Sequence, residues 1–155
     1  MIKKLVGLAL ASALAFGAVS AHAADEMTGY LSKGKVSEVV PFGEVVNNHY
    51  HKGIDLVFED ETVYTPINGV VEKLVTYDDN LTLVIVTNDN VKDSIVLANL
   101  KECNLKEGQT VKVGDVIGES GSNAIHVEYW PAGYDNGLPA NPRPFLALNG
   151  TKFDH

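Results

Sequence analysis

The segment Asn47-Asn48-His49-Tyr50-His51-Lys52-Gly53-Ile54-Asp55 concentrates the side chains best suited to chemistry. In an extended chain alternate residues share a face. His49, His51, Gly53 and Asp55 then point the same way, with Gly53 leaving room between two potential ligands. A second cluster lies in Ala124-Ile125-His126-Val127-Glu128, where Ala124, His126 and Glu128 share one face and Ile125 and Val127 the other. Imidazole nitrogens and carboxylate oxygens are donors that zinc accepts. Two histidines and one carboxylate leave a fourth position open, the pattern of a catalytic rather than a structural site. The same side chains also suit a cleft of hydrogen-bonded polar groups, and spacing alone leaves both readings open.

Short strands must position both clusters. Ile54–Phe58, Thr62–Thr65, Gly69–Tyr77, Leu81–Thr87, Ser94–Leu100, Thr110–Val113, Val116–Gly118 and Ile125–Trp130 are rich in Val, Ile, Leu and Tyr. Turn chemistry separates them, as in Pro66-Ile67-Asn68-Gly69, Asp78-Asp79-Asn80 and Asn88-Asp89-Asn90. No sustained helical period follows Ala24. This spacing predicts an all-β single domain, a sandwich or barrel. Asn141-Pro142-Arg143-Pro144 blocks a strand, so the chain is expected to finish as a tail packed by Phe145 and Leu146.

A chain of 155 residues suits one domain. Its formal charge of -8 argues against nucleic acid, which demands a basic footprint. Lys3 and Lys4, the apolar run Leu5–Val19 and the small-residue site Ala21-His22-Ala23 read as a secretory signal peptide over 1–23. The run is short for a membrane span, so no stable membrane anchor is expected. The expected mature chain has 132 residues, a formal charge of −10, and four histidines: His49, His51, His126 and His155. It divides into an N-terminal segment (24–40), the main domain (41–148) and a C-terminal tail (149–155). Cys103 is the only cysteine, which excludes an intramolecular disulfide; a buried small hydrophobe is its simplest role.

The wider pattern resembles a known family. His51-Lys52-Gly53-Ile54-Asp55-Leu56, followed by Val63 to Val71, is similar to the first motif of the lysostaphin-type (LytM-like) zinc peptidases. Gly108 to Gly118 resembles their paired-glycine hairpin, and Asn141 to Leu146 their closing segment. The resemblance runs from about Pro41 to Leu146. It implies a duplicated-hybrid-motif β-fold, one catalytic zinc ion, and hydrolysis of peptide bonds in peptidoglycan crosslinks. It also implies zinc ligands at His51, Asp55 and His126.

The family's catalytic histidines are not matched. The first histidine of its His-x-His motif falls on Ala124, and that of a Tyr-Ala-His-Leu-like segment falls on Asn99 in Leu97-Ala98-Asn99-Leu100. The loop before His126 is also shorter than the family's. Peptide hydrolysis draws on positioned acid and base groups, each contributing ~10²–10⁴-fold. Ala124 offers none, and Asn99 can donate a hydrogen bond but not relay a proton. Glu128 and His49 share a face with a ligand and are candidate substitutes; the plainer roles are a carboxylate holding His126 and a surface histidine. The expectation is an exported zinc-binding domain, periplasmic or extracellular. It would be catalytically weakened or inactive, binding cell-wall peptides or regulating a partner peptidoglycan hydrolase. The alternative is an active endopeptidase with a rearranged base.

Overall fold

The computed structural model describes residues 29–155. The expected signal peptide and its cleavage point lie outside these residues. Among the described residues, an eight-stranded sheet is built from β1 (Lys35–Val40), β4 (Ile54–Phe58), β6 (Gly69–Thr76), β7 (Thr82–Thr87), β8 (Ser94–Leu100), β9 (Thr110–Val111), β11 (Ile125–Trp130) and β12 (Lys152–Phe153). Two small sheets pair β2 (Val45–Val46) with β3 (His49–Tyr50) and β5 (Thr62–Tyr64) with β10 (Val116–Glu119). In space the main sheet runs β12-β1-β4-β11-β8-β7-β6-β9. Only the β1–β12 pair is parallel. The sheet is open, with β12 and β9 at its edges.

Alternation along the strands sorts its two faces. One face buries Val36, Leu56, Ile125, Val127, Leu97 and Val84, together with Val63 of β5 and Ile117 of β10. That is the main core. The opposite face carries a smaller cluster of Ile85, Val96 and Trp130, with Leu83 against it. β7 therefore buries side chains on both its faces. Cys103 is half-buried against the main core, where burial pushes its thiol up.

The closing segment departs from the expected tail. Pro142–Leu148 forms a helix, α1. Asn141 caps it, its Oδ1 accepting the Arg143 N–H at 3.0 Å. Pro142 lies at the helix start, where a missing N–H costs nothing. The prolines that exclude a strand thus start a helix. Leu146 is fully buried and Phe145 stacks on Tyr129, with ring centroids 4.2 Å apart. β1, the β2–β3 hairpin and β12 were also not expected; β1 lies inside the main sheet between β12 and β4. Among the described residues no helix is long and apolar enough to cross a membrane.

Candidate metal centre

The antiparallel register of β4 and β11 places His126 directly opposite Asp55. Both lie on the sheet face away from the main core, and His126 Nδ1 stands 2.8 Å from Asp55 Oδ1. His51 arrives from outside the sheet. β3 ends at Tyr50 and β4 starts at Ile54, so strict alternation does not run through residues 51–53. A Cβ on Gly53 would sit 2.1 Å from Val127 O and 3.0 Å from His126 Cε1. Only glycine lets the chain cross β11 this closely. The crossing carries His51 over the pair, with its Nε2 3.2 Å from Asp55 Oδ1 and 3.1 Å from His126 Nδ1.

The hairpin before it fixes His51 at the backbone. His51 N–H donates to Glu44 O at 2.8 Å, and Gly43 N–H donates to His51 O at 2.9 Å. Asn47 and Asn48 turn the hairpin with φ of 50° and 64°, the left-handed pair that a tight two-residue turn requires. His49 pairs with Val46 in that hairpin and is exposed. The donor atoms that converge are those of His51, Asp55 and His126, and His49 is not among them.

What each outer nitrogen faces sets the tautomers. His51 Nδ1 lies 3.1 Å from Pro41 O, a carbonyl that can only accept, so Nδ1 carries the proton. His126 Nε2 lies 3.0 Å from Glu128 Oε1 and donates to it. With the outer nitrogens carrying these protons, a cation could take the inward nitrogen of each ring. Two nitrogen lone pairs and one carboxylate oxygen form a triangle with sides of 2.8, 3.1 and 3.2 Å. Donors about 2.0–2.1 Å from a tetrahedral zinc ion stand roughly 3.3 Å apart. The donor set fits such a cation, which would also relieve the repulsion of three facing lone pairs. Without an ion, burial opposes a charge on His126, but the charged ring donates to both Glu128 and Asp55 and these bonds raise its pKa; a bound cation would displace the Nδ1 proton.

Glu128 sits behind His126 relative to Asp55. Its Oε2 accepts the Trp130 indole N–H at 2.7 Å, so both its oxygens are engaged. Burial raises the Glu128 pKa, but hydrogen bonds from His126 and Trp130, with the charge of Lys52, hold it below the usual carboxylate range. Asn99 lies on β8 with φ of 70°, where the β7–β8 register shifts between Thr82 and Val84. Its Nδ2 donates to Ala124 O at 3.3 Å, so the two departures from the family pattern are joined. Sequence reasoning missed the partners Pro41 and Trp130. Trp130 was detectable, since it shares the face of His126 and Glu128; a backbone carbonyl leaves no trace in sequence.

The open sheet with this second face is the lysostaphin/LytM fold. The antimicrobial peptidase lysostaphin from Staphylococcus simulans superposes with a TM-score of 0.64 at 20% identity, over 81% of this chain and 55% of that one. Residues 49–142 match Peptidase family M23, and the chain belongs to that family. The glycyl-glycine endopeptidase ALE-1 of Staphylococcus capitis is 30% identical over 145 residues, which is 86% of this chain and 38% of the relative. The chain thus spans well under half of that relative's length. A chain in the crystal structure of the SpoIIIAH and SpoIIQ complex superposes with a TM-score of 0.60 at 26% identity, over 76% of this chain and 96% of that one.

Proposed function

We propose that this is an exported M23 domain that holds one zinc ion and binds peptidoglycan peptides, or regulates a peptidoglycan hydrolase, with little or no cleavage of its own. One observation carries the reading: the His51–Asp55–His126 triangle stands intact while Asn99 is tied to the backbone of Ala124. His51, Asp55 and His126 would hold the ion. When bound, zinc supplies Lewis acidity and eases the ionisation of water.

The chain's own groups supply little proton transfer beside it. Ala124 has no polar side-chain atom, and the Asn99 amide cannot take up and return a proton near neutral pH. Glu128, the first candidate base, spends one oxygen on His126 and the other on Trp130. His49, the second, lies in an exposed hairpin outside the converging donors. These placements favour the binding role over the rearranged-base endopeptidase. Support for a partner comes from the SpoIIIAH and SpoIIQ complex, one of whose chains has this fold at 26% identity. Export rests on the Lys3-to-Ala23 pattern.

Equilibrium zinc titration and co-sedimentation with insoluble peptidoglycan test the proposal. One zinc per chain, with sedimentation or an altered rate of an added hydrolase, is the expected result. No zinc uptake, or neither peptidoglycan binding nor an effect on a hydrolase, overturns it.

A further inference from the structure

Same-face neighbours on a strand stand almost 7 Å apart at their Cα atoms, so they touch only when long side chains lean together. On β11 three do so in succession. His126 Nε2–H donates to Glu128 Oε1 at 3.0 Å, and Trp130 Nε1–H donates to Glu128 Oε2 at 2.7 Å. The carboxylate is held at both oxygens by two different rings. One of those rings is itself immobilised. Trp130 is 4% exposed, packs with Ile85 and Val96, and meets Tyr134 edge-on with centroids 5.4 Å apart.

We infer that Trp130 is a positioning residue for the metal centre, acting through Glu128 to fix the ring orientation and tautomer of His126. This inference rests on the zinc reading above. The indole is a rigid donor anchored in the second, smaller apolar cluster. It orients Glu128, and Glu128 keeps the His126 proton on Nε2, which leaves Nδ1 bare towards Asp55 and His51. Without the indole N–H the carboxylate keeps one donor and can turn, and the His126 ring loses its fixed orientation. The smaller apolar cluster, on the same sheet face as the metal centre, therefore sets metal affinity from outside the donor set.

The test compares Trp130→Phe, Glu128→Gln and Ile85→Val with the parent by competition titration of zinc against a chromophoric chelator. Phenylalanine keeps an aromatic ring but deletes the N–H together with part of the indole's buried volume, so Ile85→Val serves as the control for lost packing. Glutamine presents an N–H that invites the opposite His126 tautomer. Partners behind metal ligands typically account for 10–100-fold in affinity. A loss of about tenfold is expected in Trp130→Phe and a larger one in Glu128→Gln. Ile85→Val perturbs the same cluster without touching the hydrogen bonds and is expected to keep parental affinity.

Trp130 is the only tryptophan, so its emission reports on the same path. Zinc should change it in the parent and less in Glu128→Gln. Parental affinity in a folded Trp130→Phe variant overturns the inference, as does an equal loss in Ile85→Val. A parent that takes up no zinc overturns instead the reading beneath it.

Discussion

Replacing Gly53 with alanine puts a methyl carbon 2.1 Å from Val127 O, where ordinary contact begins at 3.4 Å. The overlap exceeds 1 Å and is with backbone of a central strand, so no side chain can rotate away. Overpacking of a well-packed interior typically costs about 1–3 kcal/mol, and this site belongs at the upper end, about 3 kcal/mol. Gly108→Ala separates this clash from general glycine effects. Gly108 has φ of +81° and nothing within 4 Å of its added Cβ, so its cost is left-handed strain alone, about 1–2 kcal/mol. Urea denaturation measures both. Relief of the clash must also lift residues 51–53 off β11 and carry His51 away from Asp55 and His126. Zinc affinity should therefore fall in Gly53→Ala by about 100-fold or more, beyond the effect of a partner behind a ligand, and stay parental in Gly108→Ala. A Gly53→Ala protein within about 0.5 kcal/mol of the parent, with parental zinc affinity, would refute the reasoning that this crossing places His51.

Other outcomes follow from the same geometry. His51→Ala and Asp55→Ala should each abolish stoichiometric zinc uptake in equilibrium dialysis; retention of one ion per chain in both would contradict the donor set. Asn99→Val forces a β-branched residue into φ of +70° and should cost about 2 kcal/mol or more by thermal or urea unfolding, whereas Asn99→Gly should cost less than about 1 kcal/mol. Asp93 is 8% exposed and its Oδ1 finds no hydrogen-bond partner among the described residues. Burial raises its pKa above the ordinary 3.8, so its contribution to stability is fully present below that value and is lost as pH rises through the raised folded pKa. Asp93→Asn should therefore raise Tm relative to the parent more at pH 7 than at pH 4; an equal difference at both pH values counts against it.

Much of the fold was legible because its central strands are period-2 patterns of Val, Ile and Leu. Ile54–Phe58, Ser94–Leu100 and Ile125–Trp130 have the bounds expected from sequence. β11 shows why the face of His126 could be assigned: Ile125 and Val127 can only enter the core, which turns His126 and Glu128 outward. β1 was hidden because its register shifts between Glu38 and Val40, breaking the alternation of Lys35-Val-Ser-Glu-Val-Val40. The two-residue strands β2, β3 and β12 are too short to carry a period. His51 and Asp55 do meet, but through a glycine crossing rather than one extended strand, which is why His49 does not join them. Trp130 was read as the end of a strand. Its hydrogen bond to Glu128 depends on side-chain lean, which hydrophobic patterning does not encode.

The central claim is a zinc-holding M23 domain without working proton-transfer groups. Incubating the zinc-loaded protein with purified peptidoglycan, beside a chelator-treated control, and analysing the soluble fraction by mass spectrometry tests it most directly. No release of muropeptides above the control is expected. Clear zinc-dependent release, with multiple turnover, would contradict it.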